Sequence, residues 1–574
     1  MSEAAPRGIP KRRPESGLTL AILKDAAAEA LLRDGTFHKR WKALYDECPW
    51  ATVFQSEAFV RTWYGVYGSR FRPVVVLGTD SRGQLAGLLL LACLRESHEL
   101  IAAGANQAEY QAWLAQPQAG NVFIEQALSE LSRQFPRRVL RLVYLPPGAP
   151  IDWTAAGRPW ASRCRLLALS RPLMALGDGG QARASLAKKR YKARFARLEK
   201  MGALSFRQIV DPPEFAQALD QIIPLCNFRQ GAVHGILPFR KNPLMRSLYL
   251  ALIEVPDLLH VTVLKLGEQI LSAQINVRNK DQVLLQIITH TPFLAEYSPG
   301  TLHILLLAAE LARQGIHSLD LTPEGSYKDR FATNNDQVHI LTVFFSRRQS
   351  LQARARDFYR NAVRRLAALC HVEPSRVRAV VADCRRRVLE VRSRQDLELR
   401  IYACTSAGAP AGSSLAPANR NLVKDLLAYQ PEPRGEPIAP FLNRALKRLE
   451  KGVHVYTCVE GGRLACHGWL LEPGERAFPP ELPPLPLDAQ SAVVFDCASW
   501  PPDATHHFYP SLLRQMLGDA FASPGVSRAY VVVPASDAPL RRAVEESGVC
   551  EYEFSLVRVK RFGRPVEWSK VPAS

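Results

Sequence analysis

The residues whose types and spacing suit proton transfer and anion binding crowd between Leu259 and Phe331 of this 574-residue chain. His290 closes the apolar run VLLQIITH, and an imidazole titrates near neutrality, where a base that activates a nucleophile must work. Asp320 ends the run SLD, with Glu324 just beyond it and Glu296 upstream. A carboxylate does the same work only with a raised pKa or through a water molecule, and the residues alone do not rank these candidates. Tyr297, Ser298, Pro299, Gly300 and Thr301 stand directly before a long apolar run. A helix starting there offers an anion its free N–H groups and the positive end of its dipole. Tyr327, Lys328 and Arg330 follow: a phenol and two cations that either meet an anion or line a solvated helix face.

The elements that must position these groups are legible around them. LHVTVLKL, ILSAQINVR and VLLQIITH are β-branched runs separated by the short turns Gly267-Glu268-Gln269 and Asn279-Lys280-Asp281, the pattern of an antiparallel meander. Pro299-Gly300 marks a loop. TLHILLLAAELARQG then reads as a helix capped near Ser298 or Thr301 and stopped at Gly315, apolar nearly all round and so buried. SLDLT predicts another strand, and EGSYKDRFA a turn into a second, shorter helix. The order is β-β-β-loop-α-β-α.

Hairpins of the same kind recur in RPVVVLGTDSRGQLAGLLLLACL and VYTCVEGGRLACHGWLL, each followed by helix and strand patterns. The recurrence predicts three similar α/β units with mixed sheets. They would span 21–180, 181–350 and 399–574, after a tail at 1–20 and around a basic helical connector at 351–398. TSAGAPAGSSLAPA, from Thr405 to Ala418, is compositionally a flexible loop.

The phrase from Tyr297 to Ala332 resembles the cellulose-biosynthesis type (CelD-like, BioF2-like) acyltransferases of the GNAT superfamily. The matching residues are Tyr297, Ser298, Pro299, Gly300, Asp320, Tyr327, Lys328 and Arg330, and FQSEAFVRTW, with Phe59 in place of the usual Trp, resembles the same family's N-terminal motif. The resemblance covers roughly residues 40–350 and implies tandem GNAT-like folds, related to the Fem-type transferases. It implies acetyl-CoA or another acyl-CoA as donor, with its pyrophosphate on Tyr297–Thr301 and on Lys328 and Arg330. It further implies Tyr327 as the acid that protonates the departing thiolate, and Arg229 and His234, in CNFRQGAVHG, on the acceptor side. The acceptor implied is a sugar or polysaccharide precursor of exopolysaccharide or cellulose biosynthesis. In the third unit the segment 504–509 has no glycine, which argues for a degenerate unit, since glycine lets backbone approach a pyrophosphate closely.

Lys and Arg total 74 against 54 Asp and Glu, a formal charge of +20. That imbalance favours anionic partners, including an anionic membrane surface for the basic helix pattern of residues 188–200, without choosing among them. Zinc-finger, basic-zipper and RNP-type patterns are missing, so nucleic acid is not expected except as tRNA in a Fem-type, aminoacyl-tRNA-dependent reading. A non-catalytic scaffold of degenerate units is the third reading. The 11 cysteines form no C-x-x-C pair or zinc-ligand spacing, so neither metal nor disulfide framework is expected. With no apolar leader and no run of 18 apolar residues, the expectation is a soluble cytoplasmic enzyme.

Overall fold

The computed structural model describes residues 17–357, 398–405, 418–432, 435–474, 482, 485, 490–500, 505–559 and 567–572. Most of the expected connector, from 358 to 397, and most of the expected loop, from 406 to 417, lie outside the described residues. So do the side chains of His506 and His507. The expected N-terminal tail falls outside them only to residue 16, because a strand already begins at Thr19.

The first unit contains β1 (Thr19–Lys24), β2 (Phe71–Thr79), β3 (Leu85–Leu94), β4 (Leu100–Ala102), β5 (Leu114–Ala115), α1 (Gly120–Gln134) and β6 (Val139–Leu145). Next come β7 (Cys164–Ala175), α2 (Lys189–Met201), β8 (Leu204–Ile209), α3 (Pro212–His234), β9 (Leu259–Leu266), β10 (Gln269–Asn279) and β11 (Gln282–His290). They are followed by α4 (Pro299–Arg313), β12 (Ser318–Asp320) and β13 (Asn334–Phe344). The third unit begins with β14 (Glu398–Thr405), β15 (Asn419–Arg420), α5 (Ile438–Glu450), β16 (His454–Glu460) and β17 (Arg463–Leu471). It ends with β18 (Ser491–Ser499), α6 (Thr505–Ala522), β19 (Arg528–Pro534), β20 (Cys550–Val559) and β21 (Glu567–Pro572).

The hairpins β2–β3, β9–β10 and β16–β17 are all antiparallel, as the three-fold recurrence requires. Each leads to a helix and then a strand, and α4 is buried along Leu302, Ile304, Leu305, Leu307, Ala308 and Leu311. The expected second helix after SLDLT is instead a single 3-10 turn, Ser326–Arg330. The turn closes with the Phe331 N–H on the Lys328 carbonyl, and two residues later the Thr333 N–H bonds the Leu173 carbonyl of β7, so the chain is drawn into the sheet before a helix can extend.

The first sheet has the order β1-β2-β3-β4, with β5 on β3. The second runs β6-β13-β7-β12-β11-β10-β9-β8, so β6 from the first unit is bonded into the sheet of the second. β7, which precedes residue 180, lies antiparallel between β12 and β13. The third sheet, β15-β16-β17-β18-β19-β14-β20-β21, repeats that plan, with β14 between β19 and β20.

In both large sheets a short parallel pair sits at the centre. β11 pairs with β12 only from Gln282 to Leu284, opposite Ser318 to Asp320, and then continues to His290 while the two strands part. β18 and β19 do the same after Val494 and Val531.

Contrary to the expectation from cysteine spacing, Cys404 and Cys550 are bonded to each other across β14 and β20. The two are 146 residues apart in sequence, so strand pairing alone creates the contact, and no local motif could signal it. Among the described residues Cys48, Cys93, Cys164, Cys226, Cys458, Cys466 and Cys497 are free, and none of the His, Cys, Asp and Glu residues group to hold a metal ion. No described helix is long and apolar enough to cross a membrane.

The third unit docks on α3 through α5. Asn443 Nδ2 donates to the Ala232 carbonyl at 2.9 Å, and Arg229 pairs with Glu450 at 3.3 Å. A Cβ on Gly231 would lie 2.7 Å from Cδ1 of the fully buried Leu442. Gly231→Val should therefore cost about 1–3 kcal/mol by overpacking and lower the calorimetric melting temperature of the full chain.

Candidate active site

The chain leaves β11 at His290, makes a 3-10 turn at Ala295–Tyr297, and enters α4 through Ser298 with φ 51° and ψ 56°. That left-handed conformation is strained for a residue with a Cβ, by about 1–2 kcal/mol. The Ser298 carbonyl accepts from the N–H groups of Thr301 (2.9 Å) and Leu302 (3.1 Å), while no side chain caps the helix start. With the N–H groups of Tyr297 and Ser298 also bonded, to the Leu294 and Ala295 carbonyls, what the helix start offers an external anion is the Gly300 N–H and the positive end of the dipole. Pro299 at the first helical position has no N–H to satisfy.

Gly300 packs closely beside it: a Cβ there would lie 3.0 Å from Nδ1 of His290. A larger side chain at this position crowds that imidazole.

Several residues singled out from sequence meet here. Arg330 donates to Thr301 Oγ1 at 3.2 Å. Tyr327 is 44% exposed, and packing around its ring raises the phenol pKa, with Arg330 and Arg229 opposing the rise. His290 is pushed down to about 3 by burial and then by Arg229, so it is neutral at pH 7.

Other candidates are engaged elsewhere. Lys328 Nζ donates to Thr322 O (3.1 Å), Thr322 Oγ1 (2.8 Å) and Pro323 O (3.3 Å), all three donors spent on pinning its own loop rather than on a phosphate. Asp320 is wholly buried and accepts from Tyr110 OH (2.6 Å), Arg171 (3.2 Å) and Thr322 N (2.7 Å). A carboxylate so occupied positions its neighbours instead of taking a substrate proton. Arg229 is tied to Glu450, and His234 is the exposed last residue of α3.

Where β11 and β12 part, the first unit supplies the missing wall. Gln286, at the register shift of β11, donates to the Gln107 carbonyl at 3.0 Å, and Tyr110 reaches Asp320 from the same segment. Between them Glu109 is half-buried, with Lys328, Asp320 and Glu324 as electrostatic neighbours. Desolvation raises its pKa to about 7; Lys328 opposes, while Asp320 and Glu324 add to the rise. Tyr144 stands beside Glu324 and Glu109, its phenol raised to about 12 mainly by burial. Tyr144 (φ 49°), Thr322 (φ 61°) and Glu324 (φ 64°) are all left-handed. Strain gathered on non-glycine residues around Glu109 is a mark of a working site.

Nothing in the local sequence marked Glu109, Tyr110, Tyr144 or Arg171. They lie at least 149 residues before Asp320, and only the shared sheet brings them to it.

Under α4 the second sheet carries an unusual polar face. His260, Thr262, Gln274, Asn276 and His303 are wholly buried, and Thr262 Oγ1 lies 2.8 Å from His303 Nε2. Both amide atoms of Gln274 and of Asn276 and Nδ1 of His290 have no hydrogen-bond partner among the described residues, whereas His260 meets the Gln314 side chain and His303 the Ser272 backbone. A buried polar atom left unpaired costs about 1–3 kcal/mol, so for the whole set the cost is comparable with the roughly 5–15 kcal/mol by which a domain is stable.

Residues 185–331 match a family model described as an acetyltransferase (GNAT) domain. Over that span the fold is GNAT-like. The matched span runs from just before α2, through the cradle at Ser298 and the parting of β11 from β12, to the end of the Tyr327 turn. No curated protein matches the sequence. Among solved structures the chain is similar to FemX, with TM-score 0.38 and 9% identity over 53% of this chain and 95% of that one. It is also similar to a tandem GNAT protein from the clavulanic acid biosynthesis pathway, with TM-score 0.37 and 12% identity over 57% and 99%. A GNAT-family acetyltransferase from Colwellia psychrerythraea overlaps with TM-score 0.32 and 11% identity over 56% and 99%.

Proposed function

We propose that the protein transfers an acyl group from acyl-CoA to an amine, in the manner of the cellulose-biosynthesis type acyltransferases it resembles, with an amino sugar or polysaccharide precursor as acceptor. The observation that carries this is the parting of β11 and β12 beside the uncapped, left-handed start of α4. In this reading the donor's pyrophosphate rests on Tyr297–Thr301 with Arg330 beside it, and the thioester arm passes between the parted strands.

The acceptor comes from the side walled by the first unit. The bound ammonium first gives up one proton to solvent. Its neutral nitrogen then attacks the thioester carbonyl, Glu109 takes a second N–H proton as the C–N bond forms, and the C–S bond breaks. The thiolate takes a proton from the Tyr327 phenol. Glu109 suits the base role better than His290, because a pKa of about 7 matches the working pH while one of about 3 leaves little affinity for a proton. A carboxylate wall also favours a cationic amine over a neutral hydroxyl. In the tandem arrangement the first unit completes the second unit's site.

The Fem-type alternative, with aminoacyl-tRNA as donor, is favoured by one observation. Lys188, Lys189, Arg190, Lys192, Arg197 and Lys200 are exposed on or beside α2, which packs against the turn before the cradle. Thiol release from acetyl-CoA and longer acyl-CoAs, followed across amino and hydroxyl sugars, tests the proposal. Turnover confined to amines supports it. Salt-sensitive binding of tRNA without acyl-CoA turnover moves the alternative to the front.

A further inference from the structure

We propose that Cys458 and Cys466 form a reversible thiol–disulfide site on the third unit, in which the half-buried Cys458 thiol exchanges with a small-molecule disulfide and the buried Cys466 closes the new bond. The proposal is independent of the acyl-transfer reading.

Strand register places the pair. Cys458 on β16 stands directly opposite Cys466 on β17, and the ladder is regular from His454 to Cys458, shifting only beyond it. Directly opposed residues of an antiparallel pair have Cα atoms about 4.5–5.5 Å apart, within the roughly 4.4–6.8 Å that a disulfide spans. Both side chains lie on the face of the sheet under α6, where Cys458 packs against the cluster that holds Cys466, Leu513 and Met516. There the two thiols are hydrogen-bonded to each other. The same sheet already carries a bond between directly opposed cysteines, Cys404 on β14 and Cys550 on β20. Cys458 and Cys466 face each other in the same way and are free.

Access gives the two thiols different roles. Residues 459–463, at the end of the hairpin beside Cys458, are all exposed, whereas Cys466 is wholly buried. An incoming disulfide therefore reaches Cys458 first. The hydrogen bond from Cys466 lowers the Cys458 pKa against the opposing effect of burial, and the thiolate is the attacking species. The same contact, together with burial, raises the Cys466 thiol, so that thiol waits until its neighbour has reacted. Cys497 is the rival partner, but the residue of β18 opposite Cys466 is Ser499. Cys497 is then a diagonal neighbour at about 7–8 Å, beyond the reach of a disulfide, and its Sγ is turned to the Phe495 carbonyl at 4.0 Å.

With glutathione disulfide as oxidant the steps balance. The Cys458 thiolate attacks one sulfur, the glutathione S–S bond breaks, and one glutathione leaves as thiolate. Cys466 then gives up its proton and attacks the Cys458 sulfur, which releases the second glutathione. The cysteine pair is oxidised by two electrons, the glutathione disulfide is reduced to two thiols, and the two cysteine protons end on them.

Cys458, Cys466 and Cys497 fall in separate tryptic peptides, Gly452–Arg463, Leu464–Arg476 and Ala477–Arg514, so mass spectrometry reads the pairing directly. The full-length protein is treated under native conditions with glutathione disulfide, alkylated and digested. The expected result is Gly452–Arg463 joined to Leu464–Arg476, with both thiols lost to alkylation and both recovered after dithiothreitol. Cys466→Ala should instead hold one glutathione on Cys458, and Cys458→Ser should leave Cys466 unmodified. In the wild type, a link from Cys466 to Cys497, a link that forms only in denaturant, or no link while Cys404–Cys550 stays joined in the same digest would each overturn the proposal.

Discussion

Glu109→Gln should lower kcat by about 10²–10⁴-fold, the usual contribution of a positioned general base, and leave acetyl-CoA affinity little changed. The limb of the wild-type pH profile centred near the Glu109 pKa of about 7 should disappear with it. The same variant should be more stable than the wild type in alkaline solution. The folded-state pKa is raised above the ordinary value of 4.5, so folding favours the protonated form. The penalty for the ionised group is absent below pH 4.5, develops as pH rises towards 7, and is complete above that. Removing the charge should then return up to about 3 kcal/mol at pH 8 and almost nothing at pH 4.5. Urea unfolding at the two pH values, beside a steady-state assay, reads both effects. A carboxylate kept for structure would behave in the opposite way, since its loss would destabilise while sparing turnover.

Arg171→Ala should cost about 3–5 kcal/mol of stability, because it strips the counter-charge from a buried carboxylate. Arg171 is 9% exposed and bonds both Asp320 and Asp336, tying β7 to β12 and β13 beneath the cleft. Burial already raises the Asp320 pKa, with Arg171 the largest opposing influence. Without that cation Asp320 keeps only the Tyr110 and Thr322 donors. Arg171→Lys should recover little, since a single ammonium cannot present a planar fork to two carboxylates. The double variant Arg171→Met/Asp320→Asn should recover much of the loss by removing both charges together. Denaturant midpoints for the four proteins give the answer. A loss below about 1 kcal/mol in Arg171→Ala, the range of solvent-exposed pairs, would remove this network from the account of the fold.

What was legible in the sequence follows from the range over which its signals act. The β9–β10–β11 meander, the start of α4 at Ser298–Pro299–Gly300 and the three recurring hairpins are local patterns, and the structure has them. The meeting of His290 with Gly300, and of Arg330 with Thr301, also follows from segments close in sequence. The roles of Asp320 and Lys328 did not follow, because what occupies them depends on Tyr110 and Arg171 and on the turn at Thr322. The placement of β7 and β14 and the Cys404–Cys550 bond are likewise products of strand order, which no window of residues contains. Glu109 is the sharpest case. It sits in an unremarkable loop of the first unit, and only the parting of two strands in the second gives it something to act on.

The central claim is that the start of α4 beside the parted strands receives the nucleotide end of an acyl-CoA. Isothermal titration of the full-length protein with acetyl-CoA, alongside Gly300→Val, measures this most directly. The account predicts one equivalent bound by the wild type and none by the variant. No binding to the wild type at low salt, or equal binding by both, would contradict it.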